Sequence, residues 1–276
     1  MTKETLVSVV IPVYNEARFI GKCLASLKRQ TYKPLQIIVV DDGSTDGTVD
    51  TVKGFGAVKR LNQPHLGAGA ARNLGAKTAK GEILVFVDAD MEFEVDFIAL
   101  LIAPILKGKT SGTWTGNEQV ANWNNVWARC WNYNLGRYTE KMISRFSGQR
   151  PVFRAILKSE FDKVNGFDLI GYTDDWTLPN KLGYQPKSTQ ALMWHHNPDS
   201  LLSVFNQAVW LGQRRYKLRI LGTLFTLVKH NAASSLLVGS IKALQTVTPA
   251  FLPFKLTFDL GLSWGAWLSI FGRKYR

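Results

Sequence analysis

Cysteine is nearly absent from this chain of 276 residues: there are two, Cys23 and Cys130, with no ligand spacing between them. That excludes a disulfide framework and a zinc knuckle, and it fits a reducing compartment. Long apolar runs are missing too. The opening "MTKETLVSVVIP" has no basic segment followed by a long apolar one and is read as carrying no signal peptide. The stretches "ILGTLFTLV", "ALQTVTPAFLPF" and "LGLSWGAWLSIFG" each fall short of the ~20 residues that span a bilayer. Negative charge is scarce in one region. The formal net charge is +13, and residues 201–276 hold ten Lys and Arg against a single acid, Asp259, whereas residues 1–110 and 111–200 are each net +2. No zinc-finger, RRM-like or helix-turn-helix pattern accompanies the charge, so no nucleic-acid partner is expected. Basic and strongly apolar together point to an anionic membrane surface, at its cytoplasmic face.

What the chain does have is 46% apolar residues and, over its first 90 positions, alternating strand and helix signals. "VSVVIPV" (7–13) and "QIIVVDD" (36–42) are continuous apolar, β-branched runs, the mark of strands covered on both faces. Asn15 can cap a helix carrying Phe19, Ile20, Cys23, Leu24 and Leu27 at helical spacing. "GSTDG" is a turn cluster, "TVDTVKGF" a short helix, "AVKRL" a short strand, and "GAGAARNLGAKTAKG" a small-residue helix ended by Gly81. This alternation predicts an α/β fold with a mostly parallel central sheet flanked by helices. Ligands in such sheets sit at the carboxyl ends of the strands. Asp41 and Asp42 end one strand, Asp88 and Asp90 another, and Pro12, Tyr14 and Glu16 follow a third.

"EILVFVDADMEF" (82–93) poses an electrostatic problem, because two carboxylates one residue apart at the mouth of an apolar strand repel each other. Further on, "TSGTWTGNEQV" and "STQALMWHH" read as strands, residues 121–147 as a helix and a loop, "QRPVFRA" as a short strand, "YTDDWTLPNKLGYQP" as a short acidic-headed helix, and residues 199–219 as an amphipathic helix with the basic end "QRRYKLR". Trp123, Trp127 and Trp131 form one stripe if helical. "GAGAAR" is not a dinucleotide fingerprint, since "NQPHL" rather than a strand precedes it and Arg72 occupies the place of the third Gly.

"IPVYNE", "VVDDGSTDGT", "GAGAARNLG", "VDAD" and "TDDWTL" follow one another in order. Over roughly residues 6–215 the chain resembles a family-2 glycosyltransferase with the A-type, Rossmann-like nucleotide-sugar fold. The resemblance implies an inverting, metal-dependent enzyme. It would move a sugar from a nucleoside diphosphate sugar to a lipid-linked, polysaccharide or polyprenyl phosphate acceptor. A divalent Mg²⁺ or Mn²⁺ suits the chemistry, because it neutralises charge on a diphosphate leaving group and prefers carboxylate oxygens.

Carried over residue by residue, the resemblance makes Asp90 and Asp88 metal ligands, with Asp88 also reaching the ribose and Ala89 between them in the donor site. Pro12, Tyr14 and Glu16 would line base and ribose, Asp41 would accept from the base, and Asp42 would shape its pocket or instead hold an Asx-turn. Arg72 would lie near the nucleotide, or else pair with Asp41 or Asp88. Asp175 would be the general base, with Asp174 beside it; the two acids otherwise suit a helix N-terminus. An ionised lipid phosphate acceptor would need no base, and Asp175 would then orient it. His195, with His196 second, is the candidate imidazole for the metal. Trp114 and Trp176 are candidates for an acceptor pocket, and Arg154 for a phosphate contact.

The expected division is a catalytic domain over 1–217 and a basic, apolar membrane-associated helical region over 218–276. In the latter, Pro249 and Pro253 break the chain into two or three amphipathic helices. The alternatives are a soluble helical cap for that region, a processive polysaccharide synthase, for which "QRRY" is a faint echo of its Gln-x-x-Arg-Trp segment, and a non-catalytic binder on the same fold.

Overall fold

The computed structural model describes residues 4–142, 151–169, 174–213 and 219–270. It divides into two compact units, residues 1–119 with 145–195 and residues 120–144 with 196–276. The division therefore does not follow the expected 217/218 boundary. Residues 120–144 and the helix after Ser200 belong with the C-terminal helices, because Cys130, Trp131, Val204 and Ala208 share one apolar cluster with Phe251, Phe254, Phe258 and Leu262.

The first unit is built on a seven-stranded sheet. Its strands are β1 (Val7–Val13), β2 (Leu35–Asp41), β3 (Val58–Asn62), β4 (Ile83–Phe86), β6 (Gly112–Thr115), β8 (Ala155–Leu157) and β9 (Lys187–Thr189), in the order β3-β2-β1-β4-β8-β6-β9. β3, β2, β1 and β4 run parallel, while β8 is antiparallel to both its neighbours. Strand alternation separates two cores. Val9, Ile11 and Val13 pack with α1 (Ile20–Lys28) and α4 (Phe97–Leu106), and Val10, Ile38 and Val40 pack with α3 (Ala68–Thr78) on the other face.

Several boundaries differ from expectation. α1 starts at Ile20, and Asn15 does not cap it. Asn15 takes a left-handed conformation (φ 56°), and its Oδ1 accepts from Thr45 N at 2.8 Å, so the side chain closes the loops after β1 and β2 onto each other. α3 ends at Thr78 rather than at Gly81, because Gln36 Oε1 accepts from Lys80 N and Ser8 Oγ from Gly81 N, both at 2.9 Å, drawing the chain off the helix. Each of the two long strands after residue 110 is two strands. β6 and β9 lie in the large sheet, while β7 (Glu118–Val120) and β10 (Met193–His195) leave it for a small sheet, order β5-β10-β7, with β5 (Met91–Phe93). Thr115 is the corner: its Oγ1 donates to Ala191 O and accepts from Asn117 N.

The second unit is helical: α5 (Val126–Asn134), α8 (Leu201–Gly212), α9 (Arg219–Lys229), α10 (Ala232–Gln245) and α11 (Phe251–Ile270). Asn125 caps α5 through Trp127 N and Ala128 N, so Trp123 precedes the helix and the three tryptophans do not share one helical stripe. Trp131 alone is buried, edge-on to Phe254 and Phe258. Pro253 falls in the first turn of α11, where the missing N–H costs nothing, so this proline starts a helix instead of breaking one. No described helix is long and apolar enough to cross a membrane. Most of "QRRYKLR" and the first two residues of "QRPVFRA" and of "YTDDWTL" lie outside the described residues; of the rest of "QRPVFRA" only Ala155 is in a strand, β8.

Candidate functional site

The carboxyl ends of β1, β2 and β4 carry the loops that form the site. After β2, Asp41 Oδ1 accepts from Ser44 N at 3.1 Å, so Asp41 rather than Asp42 makes the Asx-turn. Asp42 is 3% exposed and spent on the chain: its carboxylate accepts from Leu66 N, Gly67 N and Gln63 Nε2 at 2.6–2.9 Å. It shapes the 63–67 loop, with both carboxylate oxygens turned to the chain. His65, held by that loop, lies 3.9 Å from the exposed Tyr14 ring, centroid to centroid. Pro12 is half-buried on β1.

At the end of β4 the repulsion between Asp88 and Asp90 is answered inside the protein. Arg72 Nη2 donates to Asp88 Oδ1 at 2.7 Å and Arg154 Nη1 to Asp88 Oδ2 at 3.2 Å. Burial alone would push the Asp88 carboxyl up; the two guanidiniums outweigh it and hold it well below the usual carboxylate range. Both oxygens thus carry one guanidinium contact each, and Arg72, expected near the nucleotide or paired with Asp41 or Asp88, pairs here with Asp88. Ala89, between the two acids, is buried.

Asp90 is held differently. Its Oδ2 accepts from His195 Nε2 at 2.9 Å, and the other ring nitrogen donates to Glu118 Oε1 at 2.7 Å. Two acceptor-only partners require both nitrogens to carry protons. Burial disfavours that imidazolium, but Asp90 and Glu118 outweigh it and raise His195 well above its usual value. The small sheet makes this relay: His195 stands opposite Met91 in the β10–β5 register, and β7 brings in Glu118. Asp90 Oδ1, by contrast, is buried with no hydrogen-bond partner. Glu16 shares this acidic region: burial first, then Asp90 and Asp88, push its carboxyl up to about 8.

Beyond the sheet, Asp174 and Asp175 open a short 3₁₀ turn, Asp174–Trp176, ahead of α7 (Thr177–Leu182). Asp174 is buried, and its Oδ1 accepts from Arg72 Nη1 at 3.1 Å and from Asp175 N at 2.7 Å. Its carboxylate rests on α3 where a Cβ on Gly69 would come within 2.3 Å of Asp174 Oδ2, so a residue other than glycine there would displace it. Asp174 is therefore an anchor for Arg72. Asp175 keeps an oxygen in reserve: Oδ1 is buried without a partner. Burial raises its carboxyl to about 6, against the lowering effect of Arg72 and Arg154.

The structure thus brings Glu16, Arg72, Asp88, Asp90, Asp175 and His195 into one charged cluster. Trp176, 39% exposed, adjoins Asp175, whereas Trp114 lies on β6, two strands from β4. Glu118 had no sequence signal, being one acid in a short strand. The pairing of Arg154 with Asp88 was equally hidden, because β8 is antiparallel to β4 and joins it from 66 residues away. Among the described residues no group of three His, Cys, Asp or Glu side chains is arranged to hold a metal ion. The site still fits a divalent cation in two respects: Asp90 has an unspent hard oxygen donor, and the raised Glu16 carboxyl reports surplus negative charge.

The family model described as Glycosyl transferase family 2 matches residues 8–159, just over half the chain. Glycosyltransferase GlyA of Streptococcus pneumoniae is 36% identical over 111 residues, 39% of this chain and 16% of that protein. The uncharacterized glycosyltransferase YibD of Escherichia coli is 33% identical over 135 residues, 46% of this chain and 39% of that one. The matched region thus spans well under half the length of these relatives. Among solved structures, the mannosyltransferase PcManGT from Pyrobaculum calidifontis, in complex with GDP-Man and Mn²⁺, superposes with a TM-score of 0.60 at 20% identity, covering 99% of this chain and 89% of that one. S. aureus TarS in complex with UDP gives 0.55 at 16% identity over 98% and 93%. At such identities the likeness shows the fold: a mostly parallel central sheet with flanking helices.

Proposed function

Because this chain belongs to glycosyl transferase family 2, we propose that it is a glycosyltransferase that moves a sugar from a nucleoside diphosphate sugar to an acceptor hydroxyl, with inversion and with a divalent cation. The observation that carries this reading is the pair of unpartnered buried carboxylate oxygens, Asp90 Oδ1 and Asp175 Oδ1, in an otherwise paired cluster. Asp175 is the base. At neutral pH a carboxyl titrating near 6 is ionised yet basic enough to take the acceptor proton as the acceptor oxygen bonds to the sugar's anomeric carbon. The bond from that carbon to the diphosphate oxygen breaks on the opposite face, which inverts the centre.

Arg72 and Arg154 hold Asp88 rigid and shield it, and Asp174 holds Arg72 from the far side. Asp90 would hold Mg²⁺ or Mn²⁺ through its free oxygen, with His195 as a second donor once its Nε2 proton is lost. The cation, when bound, supplies charge neutralisation for the departing diphosphate. The UDP, GDP-Man and Mn²⁺ bound by the structural neighbours support this donor class and cation. Tyr14, its ring tilted against that of His65, offers an aromatic face for the base, and Trp176 a surface for a glycan or lipid-linked acceptor.

A panel of UDP- and GDP-sugars assayed with Mn²⁺, Mg²⁺ or excess chelator tests the reading. Nucleotide release should require the cation and be lost in Asp90→Ala. Release that persists undiminished in chelator or in Asp90→Ala overturns the metal role.

A further inference from the structure

Two of the C-terminal helices, α9 and α10, are arranged the wrong way round for water. α9 buries Thr223 and Thr226, while Leu224, Phe225 and Val228 are 47%, 68% and 71% exposed. α10 buries Ser235 and Gly239, while Leu237, Ile241 and Leu244, spaced i, i+4 and i+7, are 64%, 45% and 81% exposed. On α11 the buried face joins the apolar Phe251, Phe254, Phe258 and Leu262 to the polar Lys255 and Asp259, while Leu260, Trp264 and Trp267 form an exposed apolar stripe, so this helix is apolar on both sides. A helix packed on a domain in water puts its apolar stripe inward and its polar residues outward. In hydrocarbon the preference reverses: polar groups turn inward and pair, small residues let backbones touch, and large apolar side chains face lipid.

Beside its apolar cluster, the interior of this unit holds both a paired polar group and a small-residue contact. Asp259 Oδ1 accepts from Lys255 Nζ at 2.6 Å and from His230 Nδ1 at 2.7 Å, and Oδ2 accepts from Ser235 Oγ at 2.7 Å, so both oxygens of the buried acid are paired. Gly261 and Gly265 on α11 have GxxxG spacing. A Cβ on Gly265 would lie 2.0 Å from Val209 O, and one on Gly261 2.6 Å from Phe205 O, both carbonyls belonging to α8. The two helices therefore pack backbone against backbone.

Charge identifies the occupant. The only acid of residues 201–276 is Asp259, and it is sequestered with Lys255, so these helices present no negative charge outward. Of the ten basic residues, seven stand at positions 214–219 and 273–276, immediately before and at the end of the helical stretch in sequence. Trp264 and Trp267 stack at 5.3 Å on the exposed stripe, and indoles favour the headgroup boundary. No described helix is long and apolar enough to cross. We propose that α9, α10 and α11 form a lipid-docking surface that embeds in one leaflet of an anionic bilayer, held by apolar burial and by attraction of its flanking lysines and arginines to anionic headgroups.

The full chain, free of detergent, is floated with vesicles of phosphatidylcholine alone or mixed with phosphatidylglycerol, at low and high salt. The expected result is flotation with the mixed vesicles, at least tenfold weaker with neutral vesicles or at high salt. The triple variant Phe225→Glu/Leu237→Glu/Leu244→Glu should lose at least tenfold in bound fraction, and Leu244→Glu alone should lose part of it. All three positions are more than 60% exposed, so the substitutions leave the melting transition in place if the face meets water. Flotation of the triple variant equal to that of the parent overturns the proposal. So does a parent protein that stays unbound and sediments as a discrete oligomer dispersed by the triple variant, since the face would then be a contact between copies.

Discussion

Two acids, the half-buried Asp88 and the buried Asp259, organise the two units of this chain, and they are satisfied in different ways. Asp259 is the centre of a closed network: Lys255, His230 and Ser235 use both of its oxygens. Its carboxyl, pushed up by burial, is brought below its usual range by those three bonds. Asp88 is equally well paired with Arg72 and Arg154, yet its neighbours are not. Asp90 and Asp175 each keep a buried oxygen without a partner, and the Glu16 and Asp175 carboxyls are pushed up to about 8 and about 6. A closed polar network specifies packing; an open one costs stability and persists where a ligand completes it.

The sharpest way to break this contrast is to substitute at the open end. Asp175→Asn keeps the shape and removes the base, so transfer should fall by about 10²- to 10⁴-fold. The same substitution should leave the protein at least as stable. A carboxyl that titrates higher in the folded state than its unfolded value of about 3.9 contributes its full stability below that value and loses it as pH rises through about 6. Asparagine resembles the neutral form throughout, so thermal melts above pH 7 should show no loss for the variant. In the parent, the rate of transfer should rise with pH through about 6 as Asp175 ionises. A variant that both loses activity and melts early would place Asp175 among the structural acids.

Substitution at the closed end should do the reverse. Asp259→Ala leaves Lys255 buried without its counter-charge, which costs about 3–5 kcal/mol, and denaturant unfolding should report it. A smaller effect is expected at the helix contact. Gly265→Ala puts a methyl 2.0 Å from Val209 O, an overpacking that costs about 1–3 kcal/mol. Neither substitution touches the first unit's carboxylates, so donor binding should survive in any variant that folds.

The same contrast shows why parts of the molecule were legible in sequence. β1 and β2 were plain because both faces of each strand are covered, so their apolar runs are unbroken. Asp90, Asp175 and His195 were found through motif order, and the structure does place them in one cluster. The partners were not legible. Arg72 is four residues into a helix of small residues, and nothing local indicates that it bridges Asp88 and Asp174, 16 and 102 positions away. Glu118 and His195 meet only because two strands leave the large sheet at matching corners, a non-local event that no window of sequence records. Composition exposed the C-terminal charge imbalance, but not that Asp259 turns inward or that α9 hides its threonines.

The smallest predicted effect separates two acids that share one surrounding. Asp88 and Glu16 are both desolvated, yet the Asp88 carboxyl is lowered and that of Glu16 is raised, because Arg72 and Arg154 face the first while Asp90 and Asp88 face the second. Their linkage to folding has opposite sign. Asp88 adds stability that is present above the ordinary carboxylate range and is lost only as pH falls through its depressed folded value. Glu16 adds stability that is complete below its unfolded value and is lost as pH rises towards about 8. Between pH 5 and pH 8 Asp88 is ionised in both states and contributes no slope, so the decline over that window is shared by Glu16 and by His195, whose raised imidazolium loses its contribution as pH climbs above its ordinary value, with a share from Asp175 that ends near pH 6. Glu16→Gln should therefore flatten the melting temperature between pH 6 and pH 8 by an amount on the order of a few degrees. The measurement is made on cation-free protein, since a bound divalent ion would relieve the same repulsion. An unchanged slope in the glutamine variant would mean that Glu16 does not feel the Asp88–Asp90 pair, and the surplus charge attributed to this site would be gone.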